Sequence, residues 1–141
     1  MIVTKIPANP LELDLWVECE KHGVEKYAIP FAIKFTGGVT NTECVQAISL
    51  LVANNEVLRS HFVFEDGALF RCVASEIPHS ALPFSSAKQN GTDALASNRA
   101  RELAHNGLQT DGGCLFKLEF LNGQGDESYL VASFHHLILD G

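Results

Sequence analysis

The sequence predicts a mixed α/β domain in which helices pack against a sheet. Segments whose apolar residues recur every second position alternate with segments of helical period, and the helical segments begin at recognisable caps. The chain has 141 residues, of which 46% are hydrophobic and 19% are charged. This composition suits a buried core and excludes a disordered tail. The order of elements therefore favours one layered unit of α+β sandwich type.

The charge balance excludes several partners. Ten basic and 17 acidic residues give a net charge of −7, which offers no electrostatic attraction for nucleic acid or an anionic membrane. The N-terminus lacks the pattern of a secretory signal, and no apolar run approaches the roughly 20 residues that span a bilayer. We therefore expect a soluble, cytoplasmic protein. The four cysteines, Cys19, Cys44, Cys72 and Cys114, lie far apart without zinc-site spacing. Because each lies within an apolar segment, we expect buried free thiols and no disulfides.

The first helix has clear signals at both ends. Asn9 is placed to cap it, Pro10 suits its first turn, Glu12 completes a capping box and Gly23 ends it. The segment Ala28–Phe35 then changes to a period of two, which predicts a strand. Because this segment has a proline near its start, we expect the strand to begin there or to lie at a sheet edge.

A second capping box, formed by Thr40 and Glu43, opens the next helix. The predicted core-facing residues of this helix are Cys44, Ile48, Leu51 and Val52. Residues 60–65 and 68–73 read as two short strands, because the turn Asp66-Gly67 between them is a strong hairpin signal.

The second half of the chain is predicted to contain one helix and two strands. Residues 75–91 are rich in serine, proline and alanine and are expected to be irregular. A helix over residues 92–106 ends at Gly107. In residues 115–121, an alternating pattern predicts inward Phe116, Leu118 and Phe120 and outward Lys117 and Glu119. Residues 129–134 are apolar on both faces, which is typical of a central strand covered by helices.

Two adjacent histidines follow that last strand. Because neighbouring strand residues point to opposite faces, only one of His135 and His136 can serve a given site. A neutral imidazole suits proton abstraction near neutral pH. Asp140 either orients that ring or pairs with a cation and fixes the turn. The segment alone favours a simple strand end with two hydrogen-bonded histidines. A metal site is disfavoured because the two rings point apart.

A family resemblance favours a catalytic site over a simple strand end. Residues 135–141 read His-His-Leu-Ile-Leu-Asp-Gly and match the HHxxxDG signature of the condensation domains of non-ribosomal peptide synthetases, members of the chloramphenicol-acetyltransferase-like superfamily. Four further segments resemble family motifs in the family's order. They are Leu15-Trp16, Tyr-Ala-Ile-Pro at residues 27–30, Glu-Val-Leu-Arg-Ser-His-Phe at residues 56–62 and Gly-Cys-Leu-Phe-Lys at residues 113–117. The resemblance implies a chloramphenicol-acetyltransferase-like N-terminal subdomain, a mixed sheet with helices packed against it.

The sequence also departs from the family pattern. Asn54-Asn55 stands where the family has Arg-His, Glu12 and Asp14 replace a Gln and an Arg, and residues 107–110 replace a Pro-Phe-Asp-Leu motif. The subtype therefore stays open among peptide-forming, ester-forming, epimerising and stand-alone relatives. The heterocyclising branch is disfavoured, because it replaces both histidines by aspartates.

The resemblance implies an acyltransferase that joins two thioesters held on the phosphopantetheine arms of carrier proteins. His136 would act as the general base or position the acceptor amine, with His135 and Gly141 as supporting motif residues. Asp140 would be structural and form a salt bridge with Arg59, since a buried carboxylate needs a partner. The family binds no metal and no dissociable cofactor. The implied partners are carrier proteins and neighbouring synthetase domains.

The resemblance covers the N-terminal lobe only. We therefore expect residues 1–141 to be a fragment of a longer protein that lacks the C-terminal lobe. Such a fragment would be inactive alone and would expose an apolar face where its partner belongs. Two alternatives remain open. A related acyl-CoA-dependent O- or N-acyltransferase would work without carrier proteins, and a degenerate condensation-like domain that only recruits partners would tolerate mutation of His136.

Overall fold

The computed structural model describes residues 1–106, 108–110 and 112–139. The strands are β1 (Ile2–Pro7), β2 (Ala28–Phe35), β3 (Ser60–Glu65), β4 (Ala68–Ala74), β5 (Phe84–Asn90), β6 (Phe116–Asn122) and β7 (Ser128–His135). The helices are α1 (Pro10–His22), α2 (Asn41–Asn54) and α3 (Asp93–Asn106), with short 3₁₀ turns at Val24–Tyr27, Glu56–Arg59 and His79–Ala81. Within these ranges, none of the helices has the length and apolar composition that crossing a membrane requires.

The strands form two sheets. The smaller has the order β1-β4-β3 and is antiparallel throughout. The larger has the order β2-β7-β6-β5, in which β7 is antiparallel to both neighbours and β5 runs parallel to β6. This confirms the predicted mixed sheet, the central position of the last strand and the edge position of the strand that contains Pro30.

Helices pack on both faces of the larger sheet. Ala132 of β7 belongs to a cluster that includes Ile48 and Val52 of α2. Tyr129 and Val131, which alternate with Ala132 along the strand, belong to a second cluster on α3. The apolar character of both faces of β7 therefore arises from burial on both sides.

Local signals in the sequence set the ends of several elements as predicted. Both capping boxes form, one between Asn9 and Glu12 and the other between Thr40 and Glu43. Gly23 ends α1 and donates its N–H to the carbonyl of Cys19. The β3–β4 turn places Asp66-Gly67 at φ values of 49° and 80°. The predicted helix end at Gly107 lies outside the described residues.

Two strands were not predicted. β1 was missed entirely, and the segment expected to be irregular contains β5. Both are edge strands, so each pairs with a neighbouring strand along one edge only. Both form through pairing with residues that are distant in the sequence. Their strand character therefore arises from tertiary pairing more than from local sequence.

Three side-chain predictions were wrong. Leu51 is 50% exposed, because it lies at the rim of an open groove between α2 and β2. Glu119 points to the α3 side as predicted by alternation, but it is buried because Arg99 of α3 binds it there. All four cysteines are free thiols and three are buried, whereas Cys114 is exposed.

Candidate active site at the end of strand β7

His135 is the last residue of β7 and is completely buried. Its Nδ1 accepts the backbone N–H of Leu137 at 3.0 Å, and its Nε2 lies 3.1 Å from Sγ of Cys19 on α1. Burial, assisted by the neighbouring His136, lowers the pKa of His135 to about 4. The ring is therefore neutral at neutral pH. Because both of its nitrogens already contact protein groups, the ring is not available to a substrate.

His136 faces the opposite way, as alternation predicts. Its side chain is exposed and lines a cavity of about 710 Å³ between α1 and the turn that follows β7. Its backbone N–H donates to the carbonyl of Tyr27 at 2.9 Å. The imidazole is thus presented to the cavity from a backbone that neighbouring segments hold in place.

The cavity combines an apolar lining with a few charged groups. Its volume is within the range of small-molecule sites. The apolar residues are Leu11, Leu15, Val57, Leu137, Ile138 and Leu139, and the charged ones are Glu12, Asp14, Glu18 and Arg71. Arg71 lies 3.4 Å from the carboxylate of Glu12, and the hydroxyl of Tyr27 donates to Glu18 at 3.4 Å. This arrangement can hold an uncharged acyl or amine group beside the imidazole of His136.

Two of the predicted site residues, Asp140 and Gly141, lie outside the described residues. The salt bridge between Asp140 and Arg59 therefore stays a prediction. Arg59 itself donates from Nε to the carbonyl of Ala74 and from one terminal nitrogen to the carbonyls of Val52 and Ala53, at 2.7 to 3.0 Å. It joins the end of α2 to β4 and lines a separate cavity of about 190 Å³.

Sequence reasoning missed two residues that hold the site. Cys19 was predicted to be a buried thiol, but its contact with the ring of His135 was not anticipated. The carbonyl of Tyr27 holds His136, although the sequence marked Tyr27 only as part of a motif. Both contacts join residues more than a hundred positions apart, so no local pattern signals them.

Comparison with known proteins identifies the fold. The family model described as "Condensation domain" matches residues 15–141. The chain belongs to the condensation domain family. Bacitracin synthase 3 of Bacillus licheniformis is 28% identical to this condensation domain chain over 115 residues, which cover 82% of the chain and 2% of the synthase.

Solved structures share the fold. A tallysomycin biosynthesis protein superimposes with a TM-score of 0.81 at 16% identity, and the starter condensation domain of rhizomide synthetase with 0.77 at 18%. The structure describing condensation domain-mediated chain release from the enacyloxin polyketide synthase gives 0.69 at 28% identity. Each match covers 98% or 99% of this condensation domain chain but only 35%, 34% and 29% of the other chain, respectively. The predicted fold class is confirmed, and the chain spans about a third of the length of these structures.

Proposed function

We propose that this chain is the N-terminal lobe of an enzyme that condenses two carrier-bound thioesters, transferring an acyl group to an amine with formation of an amide bond. The observation that carries the proposal is the position of His136. Its imidazole is exposed in a cavity of about 710 Å³ at the end of β7, whereas the adjacent His135 is buried and engaged on both nitrogens. Membership in the condensation domain family supports this class of reaction.

In the proposed reaction the acceptor amine attacks the donor thioester carbonyl. The nitrogen–carbon bond forms and the carbon–sulfur bond breaks through a tetrahedral oxyanion. The amine proton is accepted by His136 and then passes to the departing phosphopantetheine thiolate. Holding both thioesters in line makes the attack effectively unimolecular, which accounts for a large part of the acceleration. His136 is the proposed catalytic residue.

The remaining motif residues are assigned structural roles in this proposal. His135 supports the turn that carries His136, and Gly141 ends the motif. Asp140 is proposed to bind Arg59 and so to attach the motif loop to the end of α2, where Arg59 already binds two backbone carbonyls. The chain is also proposed to need a C-terminal lobe, since its relatives are about three times as long. A single lobe cannot enclose both substrates, so residues 1–141 alone should be inactive.

The test is to supply the longer parent enzyme with one acyl donor in two forms, loaded on its carrier protein or as soluble acyl-CoA, together with a carrier-bound aminoacyl acceptor. The proposal expects amide product from the carrier-bound donor and little from the acyl-CoA. Equal or faster reaction with acyl-CoA would indicate a soluble-donor acyltransferase instead. Absence of product in both arms, with normal carrier binding, would indicate a domain that only recruits partners.

The same assay applied to residues 1–141 tests the need for a second lobe. We expect a rate equal to the enzyme-free rate, because one open face leaves His136 in water and neither thioester held in position. Condensation above that background would show that this chain is sufficient by itself.

A further inference from the structure

We propose that Cys19 is a positioning residue of this site. Its sulfur holds the imidazole of His135 in one tautomer, and this ring in turn fixes the backbone of the turn that carries His136. The inference rests on the proposed function for its catalytic consequence, but its structural content can be tested without any substrate.

The tautomer follows from the hydrogen bond at Nδ1. A backbone N–H can only donate, so the bond from Leu137 at 3.0 Å requires an unprotonated Nδ1. The neutral ring therefore carries its hydrogen on Nε2, which lies 3.1 Å from Sγ of Cys19. The sulfur is the acceptor of this N–H, in a region where His135 is fully buried and Cys19 is 3% exposed. If the sulfur were removed, the buried Nε2–H of His135 would have no acceptor, and folded proteins rarely leave a buried donor unpaired.

His135 accepts hydrogen bonds from the backbone amides of the two residues that follow His136. The backbone N–H of His136 donates to Tyr27, that of Leu137 to the ring of His135, and that of Ile138 to the carbonyl of His135. Three consecutive amides are thereby held, and two of the acceptors belong to His135. A rotation of the His135 ring would release the Leu137 amide and loosen the turn directly after His136.

The contact is one between neutral groups. Burial, with a contribution from Glu20 and Glu18, raises the pKa of the Cys19 thiol to about 11, whereas burial lowers the pKa of His135 to about 4. A thiolate–imidazolium pair, the arrangement of a nucleophilic cysteine, is therefore disfavoured here. Cys19 also has no access to the cavity of His136, because it is buried behind His135. Its role is to orient the ring.

The experiment is nitrogen-15 NMR of the 141-residue chain at pH 7. Long-range imidazole spectra report the tautomer of His135. A coupling across the hydrogen bond between the Leu137 nitrogen and Nδ1, together with amide exchange at Leu137, reports the turn. For the unsubstituted chain we expect the Nε2–H tautomer and a measurable coupling. An Nδ1–H tautomer or an imidazolium at pH 7 would by itself overturn the proposal.

Variants then separate orientation from general packing. Cys19→Ala removes the acceptor and should accelerate Leu137 exchange by about tenfold or more and abolish the coupling. Cys19→Ser, which keeps an acceptor, should restore both signals toward the original values. Cys44→Ala is a control at another buried cysteine, for which the described residues show no hydrogen bond to a histidine, and it should leave Leu137 unchanged. If Cys19→Ala does not fold, Cys19→Val removes the acceptor while filling the space.

Leu137 exchange and coupling that are unchanged in the Ala or Val variant would refute the role of Cys19. So would equal effects of Cys19→Ala and Cys44→Ala. Because these signals involve no substrate, they can hold even if the proposed condensation activity is wrong. The assay of the parent enzyme, in turn, can succeed even if Cys19 proves unimportant.

Discussion

His135 and His136 are the same side chain in opposite surroundings. One is enclosed by α1 and the turn after β7, with both nitrogens bonded, and the other faces a cavity of about 710 Å³. His135 is the last residue of β7 and His136 is the first residue of the turn that follows, and the side chains of these neighbours lie in different surroundings. The roles of structural support and proposed proton acceptor therefore follow from position rather than from residue type.

The buried histidine should make the fold sensitive to acid. In the unfolded chain His135 binds a proton below about pH 6.5, whereas in the folded chain its pKa is about 4. The stability that this difference provides is fully present above pH 6.5 and is lost as the pH falls towards 4. The loss is on the order of 3 kcal/mol, at about 1.4 kcal/mol per pKa unit. Urea unfolding between pH 7 and about 4 measures it.

The non-titrating variant His135→Gln is the comparison for this measurement. It should be less stable at pH 7 and should lose less stability than the original chain on acidification. If the unfolding free energies of the original chain and the variant change equally with pH, His135 does not titrate as described.

The predicted pair of Asp140 and Arg59 is tested by a double-mutant cycle on unfolding free energy. Asp140→Ala should destabilise by on the order of 3–5 kcal/mol if the pair is buried, because a one-sided loss leaves an unpaired charge. After Arg59→Ala, the further change at Asp140 should be much smaller. Additive losses from the two substitutions would mean that the residues do not interact.

At the level of elements, one buried ion pair joins α3 to β6, in addition to the packing of Leu121 of β6 against apolar residues of α3. Arg99 donates to both carboxylate oxygens of Glu119 at 2.8 and 2.7 Å, and the Glu119 side chain is 7% exposed. Hydrogen bonding to Glu119 raises the pKa of Arg99 above its usual range. The same guanidinium also contacts Glu102, which is 56% exposed. Two carboxylates thus share one arginine, one in the core and one in solvent.

This arrangement predicts unequal effects of two isosteric substitutions. Glu119→Gln should lower the unfolding free energy by about 1–3 kcal/mol, because it removes a buried charge-assisted pair. Glu102→Gln, its control on the same arginine, should change it by less than about 1 kcal/mol. Chemical denaturation of both variants gives the comparison, and equal effects would mean that burial of Glu119 adds nothing.

The elements that the sequence predicted are those with local signals. Capping residues at Asn9 and Thr40, and the Asp66-Gly67 turn, act within a few positions and can be read from the chain alone. β1 and β5 could not be read in this way because they become strands through pairing with distant strands. The site follows the same division. The opposite directions of the two histidines are local, whereas the contact of Cys19 with His135 spans 116 positions.

At the scale of the whole molecule, one side of the larger sheet exposes apolar residues beside α2. Phe31 and Ile33 of β2 pair in register with Ala132 and Leu130, so they share the α2 face of the sheet, yet they are 36% and 41% exposed. The groove between this face and α2 has a volume of about 670 Å³, and Leu51 lines it. The chain thus exposes apolar residues beside this groove, and coverage of this face by a C-terminal lobe stays a prediction.

We expect residues 1–141 to self-associate through this groove at high concentration. Leu51→Lys should reduce the self-association, because it places a charge inside the groove. Leu50→Lys is the control, since Leu50 is 66% exposed on the same helix and does not line the groove. Sedimentation velocity over a concentration series distinguishes them. Equal behaviour of the two variants, or a monomer at all concentrations, would show that the groove does not drive association.

The central claim concerns His136, and the most direct measurement is the single-turnover rate of amide formation by the parent enzyme with both carrier proteins loaded. His136→Ala should reduce this rate by about 10²–10⁴-fold, as expected for loss of a general base. Its melting temperature should stay unchanged, because the side chain is exposed. His105→Ala, at an exposed histidine on α3, should react at the original rate. A His136→Ala enzyme that forms product as fast as this control would contradict the account.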